Sequence, residues 1–202
     1  MQEQSIQSAD IASTFEQKRY AVLRNLISKP VAETLAGYVR RQAELGRLGY
    51  DEQVSSSPSA YADHNMERLL AKLQPIIEQV TGLSLFPTYS YYRFYICGAE
   101  LKRHRDRPAC EISLSLNLSQ DPPDPWPLWV QYKGEPFGAE LYPGDGLLYR
   151  GIECEHWRNS FAGNNAAQVF LHYVDANGSN TIWKFDKRPK LNIIEPKQQP
   201  TG

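Results

Sequence analysis

Residues Glu111-Ile-Ser-Leu-Ser-Leu-Asn-Leu118 alternate polar and apolar without a fault. In a strand, successive side chains point to opposite faces. Ile112, Leu114, Leu116 and Leu118 therefore share one face, and Glu111, Ser113, Ser115 and Asn117 the other. A half-buried antiparallel strand with its polar side wet reads this way. It does not stand alone. From Leu83 onward, short strands separated by Gly and Pro are expected over 88–96, 111–118, 128–132, 138–141, 146–150, 154–160 and 167–175. That spacing predicts an antiparallel sandwich or barrel.

The first third reads differently. Residues 1–17 are polar and are expected to fray, and Tyr20–Ile27 reads as a strand. Pro30 opens a helix to about Leu45, where a missing amide donor does no harm, and Gly46 and Gly49 end it. Ser55–Ser59 is a loop. A second helix, from about Asp63 to Val80, sets Met66, Leu69, Leu70, Leu73, Ile76, Ile77 and Val80 at spacings of three and four, so one stripe faces a core. Gly82 closes it. The expectation is an α+β chain: a jelly-roll core with N-terminal helices packed on one sheet. It divides into a flexible 1–17, a single domain over 18–178 (helical lead-in 30–80, core 83–176) and an irregular tail over 179–202.

A net charge of −1 over 202 residues offers no basic stripe for nucleic acid or an anionic membrane. No stretch approaches the ~20 apolar residues that cross a bilayer, and the N-terminus lacks the apolar centre of a signal peptide. Cys97, Cys110 and Cys154 have no metal-binding spacing and read as reduced thiols. A cytoplasmic protein is expected.

The chemistry concentrates at His104 and Asp106, one residue apart at the end of the aromatic run 88–95. Residues i and i+2 of an extended strand point the same way, so both can reach one ion. His156, on a late strand of the same β region, is the third candidate. Two histidines and one carboxylate are the layout of a non-haem iron site with an open face. The alternative is a solvated polar turn. His64 reads as a surface residue, and His172 as a hydrogen-bonded interior histidine rather than a fourth ligand.

Tyr95-x-x-Gly98-x-x-Leu101-x-x-His104-x-Asp106, then Gly144-Asp145 before an apolar pair, then His156, resembles the Fe(II)/2-oxoglutarate-dependent dioxygenases, nearest to their prolyl 4-hydroxylase-like branch. The resemblance covers about residues 88–176. It implies a double-stranded β-helix, Fe(II) held by His104, Asp106 and His156, and 2-oxoglutarate chelating the metal beside Tyr95. It further implies a hydroxylase that uses dioxygen to oxidise a C–H bond of an amino acid, a small metabolite or a protein side chain, releasing carbon dioxide and succinate. The carboxylate Asp106 sets the chain apart from halogenating relatives, which carry a small residue there. In the resembled fold Ser113 and Ser115 line the co-substrate pocket and offer hydrogen bonds to a carboxylate.

One departure stands out. The family usually carries Arg or Lys nine or ten residues after the distal histidine, to grip the far carboxylate of 2-oxoglutarate; here those positions are Asn165 and Ala166. Arg158, two residues beyond His156 and of the same parity, is the first substitute, and Arg93, two residues from Tyr95, the second. Either could instead be a structural ion-pair partner, for example of Glu111. The Pro-rich segment 119–127 is a connector or a lid over the metal, and Trp126, Trp129 and Trp157 are core or substrate-side aromatics. The missing strand-borne cation keeps rivals open: a cupin-like metal-binding or sensor protein without turnover, an idle β-sandwich module, or an isomerase using the same ligands.

Overall fold

A computed structural model describes residues 2–194, with side chains from Asp10 onward. Three helices precede most of the sheet: α1 (Gln2–Lys18), α2 (Lys29–Glu44) and α3 (His64–Thr81). The strands are β1 (Tyr20–Leu23), β2 (Ser59–Tyr61), β3 (Leu85–Ile96), β4 (Leu101–His104), β5 (Ile112–Asp121), β6 (Leu128–Gln131), β7 (Phe137–Ala139), β8 (Gly146–Arg150), β9 (Glu155–Arg158) and β10 (Asn165–Asp175). They form a six-stranded sheet in the order β1-β8-β5-β10-β3-β2 and a four-stranded sheet in the order β4-β9-β6-β7, antiparallel throughout.

The alternation of β5 sets the architecture. Its outer leucines, with Val169 and Leu171 of β10 and Tyr92 of β3, pack against Ala36, Val39, Leu70, Leu73 and Ile77 of the helices in one continuous core. Fully burying each such side chain is worth about 1.5–3 kcal/mol. The opposite face is not wet. Ser113, Ser115 and Asn117 are buried, as are Arg93 of β3 and Gln168 and His172 of β10. This inner face looks toward the small sheet and builds the site.

Helix α3 begins where Asp63 accepts hydrogen bonds from the Asn65 and Met66 amides, and ends at Gly82 with φ of 69°. Ile76 of the expected stripe is 40% exposed. Two departures from expectation concern the chain ends. Within the segment 1–17, α1 begins at Gln2, and Phe15 is buried against the core. The tail is irregular but docked: Asp186 receives both Nη1 and Nη2 of Arg107 at 2.9 Å, and Arg188 reaches the fully buried Glu67 at 2.6 Å. Residues 195–202 of that tail lie outside the described residues. No helix among the described residues is long and apolar enough to cross a membrane.

Candidate metal centre

His104 ends β4 and His156 sits opposite it in register on β9. Their ring centroids are 4.2 Å apart. Asp106 lies in the irregular turn after β4, where its amide donates to the Gly151 carbonyl at 2.9 Å. Its Oδ1 is 3.8 Å from His104 Nε2 and 3.5 Å from His156 Nε2. One ligand atom from each of the three residues falls within 4.8 Å of the others.

Neighbouring groups aim these atoms. Nδ1 of His104 lies 2.8 Å from the Lys102 carbonyl, and Nδ1 of His156 lies 3.2 Å from the Cys154 carbonyl. A carbonyl can only accept, so in each ring Nδ1 carries a proton, and the neutral ring then has its lone pair on Nε2. Ser113 donates to Asp106 Oδ2 at 2.8 Å and leaves Oδ1 to face the histidines. Burial alone would raise the Asp106 pKa; His156, which donates to it when protonated, with His172 and the Ser113 hydroxyl, outweighs it and holds the carboxyl at about 2. Burial, reinforced by the neighbouring His156, lowers His104. Two neutral imidazoles and one carboxylate suit a borderline divalent ion such as Fe(II).

Gly151 makes this turn possible. A Cβ there would stand 2.3 Å from Asp106 Oδ2 and 2.3 Å from the Cys110 carbonyl.

A cavity of about 360 Å³ opens over the three residues. Tyr89, Tyr91, Tyr95, Phe170 and His172 wall it from the large sheet, and Asp51 and Gln53 close it from the loop before β2. Gln53 Nε2 lies 3.0 Å from His104 Nε2. Asp51 is the knot of that loop. It accepts from Arg93 at 2.7 Å, from the amides of Gln53 and Val54, and from Tyr91. Against the upward pull of burial, the Arg93 and Tyr91 hydrogen bonds hold Asp51 at about 2. A larger groove of about 660 Å³ between α1, β1 and α3 carries no such cluster among its lining residues.

The remaining candidates fall as follows. His172 is buried, its Nδ1 2.9 Å from Ser113 Oγ, and burial drives its pKa to about 4. It also lies with Asp106 and Cys110 in a second convergent group, but burial pushes the Cys110 thiol well above its ordinary range and its sulfur contacts Tyr89 Oη at 3.0 Å. Ser113 does serve a carboxylate, that of Asp106, while the buried Ser115 hydroxyl has no partner. Arg93 is committed to Asp51 and to the carbonyls of Ser57 and Val54. Glu111 pairs with neither arginine; it accepts from the Asp175 amide and Asn180.

Arg158 is different. It is 1% exposed, and no carboxylate among the described residues lies within ion-pair reach of it. Nη1 donates to the Trp126 carbonyl at 2.5 Å, Nη2 to Gln168 Oε1 at 3.3 Å, and Nε has no partner. Burial pushes the guanidinium down to about 10. Trp126 packs between Tyr95 and Phe161 and lies 4.8 Å over Arg158, so the Pro-rich segment caps the arginine rather than the metal face. Trp129 and Trp157 stack at 6.2 Å and do not line the cavity.

This fold is shared with solved Fe(II)/2-oxoglutarate-dependent oxygenases, prolyl hydroxylases among them. No protein-family profile matches the sequence, and no curated protein matches it. Among solved structures, a Pseudomonas putida prolyl-4-hydroxylase superposes with a TM-score of 0.69 at 18% identity, covering 83% of this chain and 98% of that one. A Trichoplax adhaerens prolyl hydroxylase in complex with a hypoxia-inducible-factor oxygen degradation domain peptide gives 0.71 at 12% identity, covering 86% and 91%. The epimerase SnoN, in complex with Fe3+, α-ketoglutarate and nogalamycin RO, gives 0.71 at 10% identity, covering 85% of each chain. At these identities the likeness is one of fold.

Proposed function

We propose that the protein is an Fe(II)- and 2-oxoglutarate-dependent dioxygenase that hydroxylates a C–H bond of its substrate, with His104, Asp106 and His156 as the iron ligands. The observation that carries this is a pair. Two Nε2 atoms and one carboxylate oxygen converge beneath a cavity, and behind its wall residue Tyr95 a fully buried arginine lacks an anion. A buried charge without a partner is costly, so a site that keeps one is fitted to receive a carboxylate. Jelly-roll topology supports the reading, since β3 to β10 divide between the sheets as β3-β10-β5-β8 and β4-β9-β6-β7.

When bound, iron and 2-oxoglutarate would supply oxidation of a C–H bond by dioxygen, coupled to loss of carbon dioxide and formation of succinate. The chain's own groups supply position. The Lys102 and Cys154 carbonyls fix the rings, and Ser113 fixes Asp106. Arg158, with Tyr95 beside it and the free Ser115 hydroxyl on the same inner face, would take the far carboxylate. The faces of Tyr89, Tyr91 and Phe170 would keep water from the reacting carbon. The substrate is an amino acid, a small metabolite or a protein side chain in a cytoplasmic setting.

With Fe(II), 2-oxoglutarate and oxygen, the wild-type protein is expected to form succinate, which separates turnover from mere metal holding. Asp106→Ala should abolish it; unchanged turnover in that variant removes the ligand assignment. Arg158→Ala should raise the 2-oxoglutarate needed for half-maximal rate by about tenfold or more, the worth of one charge-assisted contact, with the iron requirement little changed. The same shift in Arg93→Ala but not in Arg158→Ala would move the anion site.

A further inference from the structure

The groups around Arg158 form a closed ring that no role assigned so far uses. Arg158 Nη2 donates to Gln168 Oε1 at 3.3 Å, and Gln168 Nε2 donates to Asn117 Oδ1 at 3.0 Å. Asn117 Nδ2 donates to Gln120 Oε1 at 3.3 Å and to the Leu141 carbonyl at 2.7 Å. Gln120 Nε2 donates to the Asp124 carbonyl at 2.8 Å and to that of Pro123 at 3.2 Å. Two residues further on, the Trp126 carbonyl accepts Arg158 Nη1 and closes the circuit. It ties β5, β9, β10 and the Pro-rich segment together in the buried interior.

The direction of the ring is fixed by its ends. The Leu141, Pro123 and Asp124 carbonyls can only accept, so the nitrogens of Asn117 and Gln120 must face them. Asn117 then turns Oδ1 to Gln168, Gln168 must donate there, and only its oxygen is left for the guanidinium. Every partner of Arg158 in the ring is a neutral dipole. Asn117, Gln168 and Arg158 are each 1% exposed, so water does not substitute for any link. A carboxylate at position 168 would hold the arginine equally well and cancel its charge. An amide holds it and leaves the charge, and the unpartnered Nε, for something else.

We infer that Gln168, seconded by Asn117 and Gln120, is a positioning residue that orients Arg158 without neutralising it, so that the guanidinium, one side chain behind the cavity wall residue Tyr95, keeps its charge for the distal carboxylate of the co-substrate. The last core strand thus contributes a neutral amide to the anion site while β9 contributes the cation. This rests on the 2-oxoglutarate reading above, and the test separates the two.

The full-length protein is loaded with Ni(II) without oxygen and titrated by calorimetry with 2-oxoglutarate and, separately, with pyruvate, a 2-oxo acid without a distal carboxylate. Gln168→Glu, which adds an internal anion, is expected to weaken 2-oxoglutarate by about tenfold or more while Ni(II) and pyruvate binding stay within about twofold. In an Arg158→Ala background the same substitution should add nothing, because the two changes act through one contact. Gln168→Met keeps the side-chain length and covers the case in which the acidic variant does not fold; it should weaken 2-oxoglutarate severalfold, again sparing pyruvate. The inference is overturned if Gln168→Glu, or Gln168→Met where only that variant folds, binds 2-oxoglutarate like wild type while Arg158→Ala does not. Equal losses of 2-oxoglutarate, pyruvate and Ni(II) also overturn it, since they mark general damage. If Arg158→Ala itself binds 2-oxoglutarate normally, the arginine assignment falls first and this inference with it.

Discussion

Gly151 carries no functional group, yet it sets where Asp106 can be. Its carbonyl holds the Asp106 amide, and the space beside its Cα is filled by the Asp106 carboxylate and the Cys110 carbonyl. Because one of those neighbours is backbone, a methyl group there cannot be absorbed by a side-chain swing. Gly151→Ala is expected to lower metal affinity by about 10–100-fold, the range seen when ligand-supporting groups are disturbed, with far-UV circular dichroism unchanged; Ni(II) calorimetry reads it. The three ligand candidates were visible in the sequence because His-x-Asp at a strand end and a later strand-borne His form a spacing pattern. Gly151, Asp51 and Gln53 were not. Asp51 matters only because Arg93, 42 positions away, folds against it, and a lone Gly after Arg150 has no signature until the turn beside it is known.

Among the elements, α3 and β5 were legible and α1 and β4 were not, for opposite reasons. Helix α3 carries a long apolar stripe bounded by Asp63 and Gly82, and β5 alternates strictly. Between Asp10 and Lys18, α1 sets only Ile11 and Phe15, four apart, on the core. Strand β4 is four residues with one buried apolar side chain, and exists through its pairing with β9. The loop assigned to 55–59 yields its last residue to β2 for the same tertiary reason. The polar face of β5 could not be assigned from alternation alone, because a wet face and an active-site face have the same period. At α3, Asp63 caps two amides and accepts the Tyr38 hydroxyl at 2.6 Å. Asp63→Ala should therefore cost about 1–2 kcal/mol, read as a fall in the thermal midpoint.

At the scale of the molecule, residues 180–194 form a strap beside the site, with Trp183 packed in one cluster with the cavity wall residue Tyr89. Phe185, Asp186 and Lys187 hold φ of 50°, 53° and 63°, a run of left-handed residues that persists only where its surroundings fix it. Two ion pairs do so: Asp186 with Arg107, next to the candidate ligand Asp106, and Arg188 with Glu67 in α3. Glu67 is fully buried, so Arg188→Ala leaves a carboxylate without its cation. The expected cost is about 3–5 kcal/mol, visible in denaturant titration; a change below about 1 kcal/mol would mean that the strap contributes little.

The division of β5 into a leucine side and a serine–asparagine side has a consequence for how such a protein changes over time. The grease that holds the chain together lies behind the large sheet, against helices, and the candidate metal ligands lie in front of it. Substitutions that reshape what the cavity admits need not touch what keeps the chain folded, so its contents can change on one side of a single strand while the other side stays as it is.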